Sequence, residues 1–348
     1  MTEKEEIKAE YRKIFGNHDE EIVKLPASGS DRKYFRISAK NKSVICTLNP
    51  IKEENDAFVG FSEHFRKMQL PVPEILGYNP DKGIYFQTDL GDQNLFSWLR
   101  DKQEHERFGT DTISLYHMII DALILFQTKG IKGLDLDLCY PHRNFDRQSM
   151  MWDMNYFKYM FLKLLAVPFN EKRLEHDFNN LADFLLAACQ DFFLYRDFQS
   201  ANIMIVGGSP WFIDFQGGRK GAAQYDIASL LYDAKIHMDQ ALRQLMMDYF
   251  CKRFCETTKT DIDNFSSHIN SFIMIRLMQA LGTFGFRGLY EKKPTFTDSL
   301  VPGLKLLLHI SEENGEFIKL PELSLAIRSA SECEKYRQLS ESSVNLMQ

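Results

Sequence analysis

Residues 195–214 read Tyr-Arg-Asp-Phe-Gln-Ser-Ala-Asn-Ile-Met-Ile-Val-Gly-Gly-Ser-Pro-Trp-Phe-Ile-Asp, and this stretch decides how the chain is organised. Asp197 is followed five residues later by Asn202, then by an apolar run, a turn, a second apolar run and Asp214. Ile203 to Val206 and Trp211 to Ile213 have the length and apolarity of short strands, and Gly207-Gly208-Ser209-Pro210 between them is strong turn chemistry. Folding that hairpin returns Asp214 to the side of Asn202. Two oxygen-bearing side chains then stand where they can share one hard cation, with the Asp197 carboxylate on the same short loop. A bare Asp-x4-Asn is common in sequences; the hairpin and the strand-ending Asp behind it give this one meaning.

Outward from that stretch, the chain divides by texture. Residues 1–24 read as a charged amphipathic helix, and strand-like runs begin at Leu25. Tyr34-Phe35-Arg36-Ile37 and Ser43-Val44-Ile45-Cys46-Thr47 are β-prone, with Ala39-Lys40-Asn41-Lys42 as their turn. Phe58, Phe61, Phe65 and Met68 have helical spacing, and Pro71-Val72-Pro73 should stop that helix. Ile75 to Tyr78 and Ile84 to Thr88 form a second strand pair around Asn79-Pro80-Asp81-Lys82-Gly83. Beyond Leu95 the pattern is mostly helical apart from the hairpin. The expectation is an α+β, two-lobed fold: a small β-rich lobe over 1–89, a larger helical lobe over 90–334 carrying the acidic loop, and a polar, frayed tail over 335–348.

Bulk properties bound the function. The chain has 348 residues and a net charge of −6, which lacks the basic footprint of a nucleic-acid binder. No apolar stretch approaches the roughly 18–20 residues that span a membrane, and the charged N-terminus has no secretion-signal core. Six cysteines lie at 46, 139, 189, 251, 255 and 333. Cys251 and Cys255, one helical turn apart among aromatics, read as buried thiols rather than a metal site. The expected compartment is reducing and cytoplasmic.

Other segments carry possible chemistry. Ser28-Gly29-Ser30-Asp31-Arg32-Lys33 precedes the first clear strand pair; its small residues could admit backbone N–H groups to phosphate oxygens, with Arg32 or Lys33 adding charge. The same residues also read as an ordinary turn. Gln87-Thr88-Asp89 lies where the sheet ends, and a crossing strand there can offer backbone groups to an adenine edge or serve simply as a linker. Tyr225-Asp226 starts a helix, with Asp226 either capping it or bracing the acidic loop.

Taken together, these motifs resemble the protein-kinase-like fold, with its Asp-x4-Asn catalytic loop and following metal-binding Asp. More narrowly they resemble the aminoglycoside phosphotransferase/choline kinase superfamily and its bacterial anomeric sugar kinases of the N-acetylmuramate/N-acetylglucosamine 1-kinase type. The similarity runs along nearly the whole chain. It rests on the Ser28 to Arg36 loop with its small residues and Tyr34-Phe35-Arg36, on Leu70-Pro71-Val72-Pro73-Glu74, Asp89-Leu90-Gly91-Asp92, Ile213-Asp214-Phe215-Gln216, Tyr225-Asp226 and Gln279-Ala280-Leu281-Gly282-Thr283-Phe284. The resemblance implies a kinase using ATP and Mg2+. Asp197 would be the catalytic acid or base, and Asn202 and Asp214 the metal ligands. Ser28, Gly29, Ser30, Arg32, Lys33, Gln87, Thr88 and Asp89 would meet the nucleotide, Gln216 the acceptor, and Tyr195, Arg196 and Asp226 would support the loop.

Three departures stand out. The strand that in such kinases carries a phosphate-binding Lys has Thr47 there, leaving Arg32 and Lys33 as candidates for that charge. Tyr195 stands where a His usually precedes the catalytic Asp, and Gly217-Gly218 replaces bulkier residues, which would reshape the acceptor pocket. The acceptor is expected to be a small sugar, bound by Gln216 and by a wall drawn from Trp152, Tyr156, Phe284 and Phe286, each of which also reads as core. Near-balanced charge over 235–298 favours a neutral or anionic acceptor over a polycation. The rivals are a kinase of an aminoglycoside, an amino alcohol such as choline or ethanolamine, or a nucleoside-like sugar, and a non-catalytic nucleotide-binding regulator. A protein kinase is disfavoured because no Ala-Pro-Glu segment follows Asp214.

Overall fold

The computed structural model describes residues 2–26, 32–40, 42–103, 106–316 and 318–346. The first lobe runs α1 (Glu3–Phe15), β1 (Glu21–Lys24), β2 (Lys33–Ala39), β3 (Lys42–Leu48), α2 (Lys52–Lys67), β4 (Ile75–Asn79) and β5 (Ile84–Thr88). Its strands form one antiparallel sheet in the order β1-β2-β3-β5-β4. Side chains alternate across the pleat. Phe35, Ile37, Cys46, Ile84 and Phe86 pack under Ile7 and Tyr11 of α1. Tyr85 points the other way and stacks on Phe58 of α2 at 5.1 Å. The sheet is thus covered by a helix on each face, and α2 is the one that continues into the main core.

The second lobe runs α3 (Leu95–Arg100), α4 (Thr110–Leu125), α5 (Arg147–Phe157), α6 (Glu171–Leu186), β6 (Phe192–Leu194), β7 (Ile203–Val206), β8 (Ser209–Phe212), β9 (Arg219–Gly221), α7 (Gln224–Leu231), α8 (Gln240–Thr258), α9 (Ile262–Ser267), α10 (Ile269–Phe284), α11 (Pro294–Thr297), α12 (Leu300–Glu313), α13 (Pro321–Glu332) and α14 (Glu334–Leu346). Among the described residues no helix is long and apolar enough to cross a membrane. α10 is apolar nearly all round and sits at the centre of the lobe, as such a helix must. Its C-terminal end approaches α5 and the chain after it very closely: a Cβ on Gly282 would lie 2.7 Å from Tyr156 Cδ1, and one on Gly285, the residue following α10, would lie 1.9 Å from the Met160 carbonyl oxygen. The Gly282 of the Gln-Ala-Leu-Gly-Thr-Phe motif is therefore a packing requirement.

The β7–β8 hairpin turns on Gly207 and Gly208 alone, at φ +57 and +79, a two-residue turn that glycine pairs favour. Ser209 and Pro210 belong to β8 instead of the turn; Pro210 faces Ile205 on a two-stranded ribbon, where a missing N–H is tolerated. The hairpin is tied to the first lobe, since Phe212 N–H donates to Pro71 O at 2.9 Å, and to the segment joining the lobes, since Ile205 N–H donates to Gln93 O at 2.8 Å.

Other sequence expectations also need correction. The N-terminal helix stops at Phe15 and β1 follows it, because Gly16 adopts φ +84 and ends the helix. α2 begins at Lys52, six residues before the apolar spacing starts. The β6–β9 pair has no sequence signal beyond three residues a strand. The tail is helical through Leu346 and anchored by buried Tyr336. All six cysteines are free, and Cys251 and Cys255 are buried.

Candidate active site

The loop after β6 is fixed by buried polar groups. Asp226, near the start of α7, is buried and accepts the Tyr195 N–H at 2.8 Å, the Arg196 N–H at 2.9 Å and the Gln127 amide at 3.3 Å. Through the first two of these bonds Asp226 reaches from α7 to the loop. Burial pushes its carboxyl up to about 7 against the pull of those donors. Arg196 sits at φ +81, a strained value for an Arg, and its guanidinium holds Asp153 at 2.6 and 2.7 Å and the Tyr225 hydroxyl at 2.7 Å. Tyr195 is buried, packs against Phe126, Phe193, Phe198 and Phe215, and donates its hydroxyl to Ile213 O at 2.7 Å. The Tyr that replaces the usual His thus clamps the loop to the strand end preceding Asp214. Phe215 stacks on Phe58 of α2 at 4.8 Å and 8°, which locks this strand end to the first lobe.

These anchors bring Asp197, Asn202 and Asp214 together. The Asn202 amide donates to Asp197 O at 2.9 Å and to Asp214 Oδ2 at 3.1 Å. Asp214 is at φ +68, and its Oδ1 accepts from Gln216 Nε2 at 2.7 Å and Arg32 Nη1 at 2.9 Å. Burial, and then the neighbouring Asp214, push the Asp197 carboxyl above its ordinary range against Arg276, Arg196 and Arg219. Among the described residues no three His, Cys, Asp or Glu side chains gather around one point. One carboxylate beside one amide oxygen instead suits Mg2+, which draws its remaining ligands from phosphate and water.

Arg32 and Lys33 part company. Arg32 pairs with Glu54 of α2 at 2.9 Å as well as with Asp214, and Asn49 also donates to Glu54 at 3.1 Å. Lys33 pairs with Glu3 of α1, because neighbouring residues of an extended segment point to opposite faces. It is therefore removed from the cluster. The rest of the expected phosphate loop, Ser28, Gly29 and Ser30, lies outside the described residues. Gln87 is buried with its Oε1 unpaired among the described residues. Its backbone is paired on both sides, to β3 and β4. Thr88 exchanges hydrogen bonds with Glu74 at 3.0 Å. Asp89 is held by Arg36 at 2.6 Å and accepts from Gly91 N–H. The side chains of Thr88 and Asp89 are thus committed to the protein.

A cavity of about 700 Å³ opens on the cluster, lined by Asp197, Asn202, Asp214, Gln216 and Arg32 on one side. Ser229, Asp233, Lys235, Arg276, Gln279 and Phe296 line the other. Of the four aromatics expected on a sugar-facing wall, only Phe284 lines it; Trp152 packs on His142 and Phe286 stacks on Tyr290. Within the Gly217-Gly218 departure, a Cβ on Gly217 would lie 3.8 Å from Asp197 Oδ2, beside the site. A Cβ on Gly218 would lie 2.2 Å from Phe193 Cζ, so the residue is fixed by packing. Sequence reasoning missed Glu54, Asp153, Gln127 and Arg276, which come from distant helices and carry no local motif.

The chain is similar in sequence and in fold to known proteins. The chain is 25% identical over 219 residues to the N-acetylmuramate/N-acetylglucosamine kinase of Pseudomonas aeruginosa, covering 62% of this chain and 60% of that protein. It is 26% identical over 233 residues to the Neisseria meningitidis protein of the same name, covering 65% and 66%. The chain thus spans under two thirds of the length of these curated relatives. In fold it is similar to the Plasmodium vivax ethanolamine kinase (TM-score 0.62, 13% identity, 89% of this chain and 87% of that one). It is likewise similar to the Cryptosporidium parvum choline kinase (TM-score 0.61, 12% identity, 93% and 99%). The model of the phosphotransferase enzyme family matches residues 21–257, from β1 through nearly all of α8 and across the whole acidic cluster, and the chain belongs to that family.

Proposed function

We propose that this protein is an ATP- and Mg2+-dependent small-molecule kinase that phosphorylates the anomeric hydroxyl of an amino sugar of the N-acetylmuramate/N-acetylglucosamine type. The observation that carries this reading is that Asp197, Asn202 and Asp214 face one cavity whose far wall belongs to the helical lobe. Similarity to N-acetylmuramate/N-acetylglucosamine kinases supports the sugar.

In this reading the nucleotide lies between the lobes and the acceptor against the helical wall. Asn202 and Asp214 would hold the cation, which when bound neutralises charge on the β- and γ-phosphates. Asp197 orients the acceptor hydroxyl. The acceptor oxygen bonds to the γ-phosphorus as the bond to the bridging oxygen breaks, ADP leaves, and the hydroxyl proton passes to Asp197. A carboxylate raised above its ordinary range is better suited to take that proton. An anomeric hydroxyl is more acidic than an ordinary alcohol, which eases the demand on the base. Arg32 would supply the charge that Thr47 does not, because it already joins Glu54 of α2 to Asp214. The free cysteines support a cytoplasmic location.

The test is 31P NMR of the purified protein with MgATP and, separately, N-acetylmuramate, N-acetylglucosamine, glucose, choline and kanamycin. Phosphate on the anomeric oxygen of an amino sugar is the expected result. Turnover only with choline or kanamycin would move the acceptor to another class. MgATP binding without turnover of any acceptor would favour the regulator.

A further inference from the structure

The helical wall of the cavity contains a buried cation that forms no ion pair among the described residues. Arg276 of α10 is 8% exposed. Its Nε donates to Ser229 Oγ at 2.7 Å and its Nη1 to Gln279 Oε1 at 2.5 Å, both neutral acceptors. Among the described residues no carboxylate pairs with it, and its Nη2 makes no hydrogen bond to protein while the side chain lines the cavity. Other buried arginines differ. Arg196 is paired with Asp153 and Arg32 with Glu54 and Asp214. Arg219 and Arg243 each donate to two backbone carbonyls, and neither lines the cavity.

The surroundings share that sign. Lys235 is half-buried on the same wall, lies over the Phe296 ring at 5.5 Å and forms no ion pair among the described residues. Lys293 stands at the rim, paired with Glu291 at 3.0 Å. The one acid on this wall, Asp233, is already used: it accepts from the Ser200 hydroxyl at 2.5 Å and from the Lys235 N–H at 3.1 Å. Asp197 and Asp214 line the same cavity, and the Arg276 charge is felt at Asp197, but no ion pair joins Arg276 to either among the described residues. A buried guanidinium without an ion-pair partner is costly. Its planar fork is shaped for a carboxylate or a phosphate.

We propose that the acceptor carries an anionic group, carboxylate or phosphate, that docks on Arg276 with Lys235 beside it, and that this pair sets acceptor choice. The proposal rests on reading the cavity as the acceptor site. A neutral sugar would fill the same space and leave the cation unpaired.

Three acceptors with one ring separate the possibilities: N-acetylglucosamine (neutral), N-acetylmuramate (carboxylate) and N-acetylglucosamine 6-phosphate. Their kcat/KM values are compared in the native protein, Arg276→Gln, Arg276→Lys and Lys235→Ala, with melting temperatures confirming that each variant folds. The native protein should prefer one of the anionic acceptors, and which one it is tells carboxylate from phosphate. Arg276→Gln should cut the anionic-to-neutral preference about 30- to 100-fold, the worth of one charged hydrogen-bond pair. Arg276→Lys should restore part of it, and Lys235→Ala should cut it less. A native protein that prefers the neutral sugar overturns the proposal. So does an Arg276→Gln variant that loses activity equally on all three, which would place Arg276 in phosphoryl transfer or in the fold. If no sugar turns over, the sugar reading has failed, and binding decides the anion site instead. At least one of D-lactate and glycerol 3-phosphate, each added with MgADP, should raise the melting temperature of the native protein and not of Arg276→Gln. No Arg276-dependent shift overturns the proposal.

Discussion

The acidic loop and the helical wall opposite it are built by contrary rules. On the loop, the polar groups that set its course are satisfied within the protein: the two backbone N–H groups on Asp226, the Arg196 guanidinium on Asp153 and Tyr225, the Tyr195 hydroxyl on Ile213 O. On the wall, Arg276 Nη2 and Lys235 Nζ have no protein acceptor among the described residues. A group that must stand at one fixed geometry is held from behind, and a group that must recognise something is left with bonding capacity. The strained φ values fall on the same divide. Arg196 and Asp214 carry theirs within the most heavily braced segment of the chain.

Predictions that could break this contrast range from large to small. Asp214→Ala should lower turnover at least about 1,000-fold and weaken MgATP binding, because several kcal/mol of charge stabilisation pass through it; stopped-flow turnover and calorimetry read the two effects separately. Asp226→Ala leaves two buried N–H groups unpaired and should cost about 3 kcal/mol of stability in urea unfolding, with kcat falling more than KM rises. Normal turnover in that variant would mean the bracing does not matter. Asp226 also gives a pH signature. Its carboxyl rises from 3.8 to about 7 on folding, so the stability it contributes is full below pH 3.8 and is lost as pH rises through 7. Asp226→Asn should remove that slope from melting temperature against pH. Arg32→Gln should raise the KM for ATP about tenfold, the value of one charge-assisted hydrogen bond. Gly285→Ala should cost about 1–3 kcal/mol by overpacking while leaving the KM for ATP unchanged, since the Met160 carbonyl it would strike is part of neither lobe's chemistry.

What was legible in the sequence follows local signals. The β2–β3, β4–β5 and β7–β8 pairs announce themselves through short apolar runs between turn residues, and the acidic cluster through its spacing around one hairpin. The Gly-Gly pair placed the last turn, but Ser209-Pro210 looked like turn residues and instead extend β8, because a two-residue turn needs only the two positive-φ positions. The β6–β9 pair was invisible since three residues carry no period. Partners that act at a distance were also silent. Glu54 reaches Arg32 from α2, and Asp153 reaches Arg196 from α5, 43 residues before it in sequence. Arg276 sits in a helix apolar on every side, where a single cation gives no hint of what it faces. The Lys33 misplacement came from treating neighbouring basic residues as interchangeable when the strand sends them to opposite faces.

The most direct test of the central claim is the kcat of Asp197→Asn measured beside its MgATP dissociation constant. The substitution keeps the size and packing of the side chain and removes only its basicity. The account predicts a fall in kcat of about 100- to 10,000-fold, the range for losing a general base, with MgATP binding within about threefold of the native value. Undiminished kcat, or a loss of MgATP binding that matches the loss of rate, would contradict it.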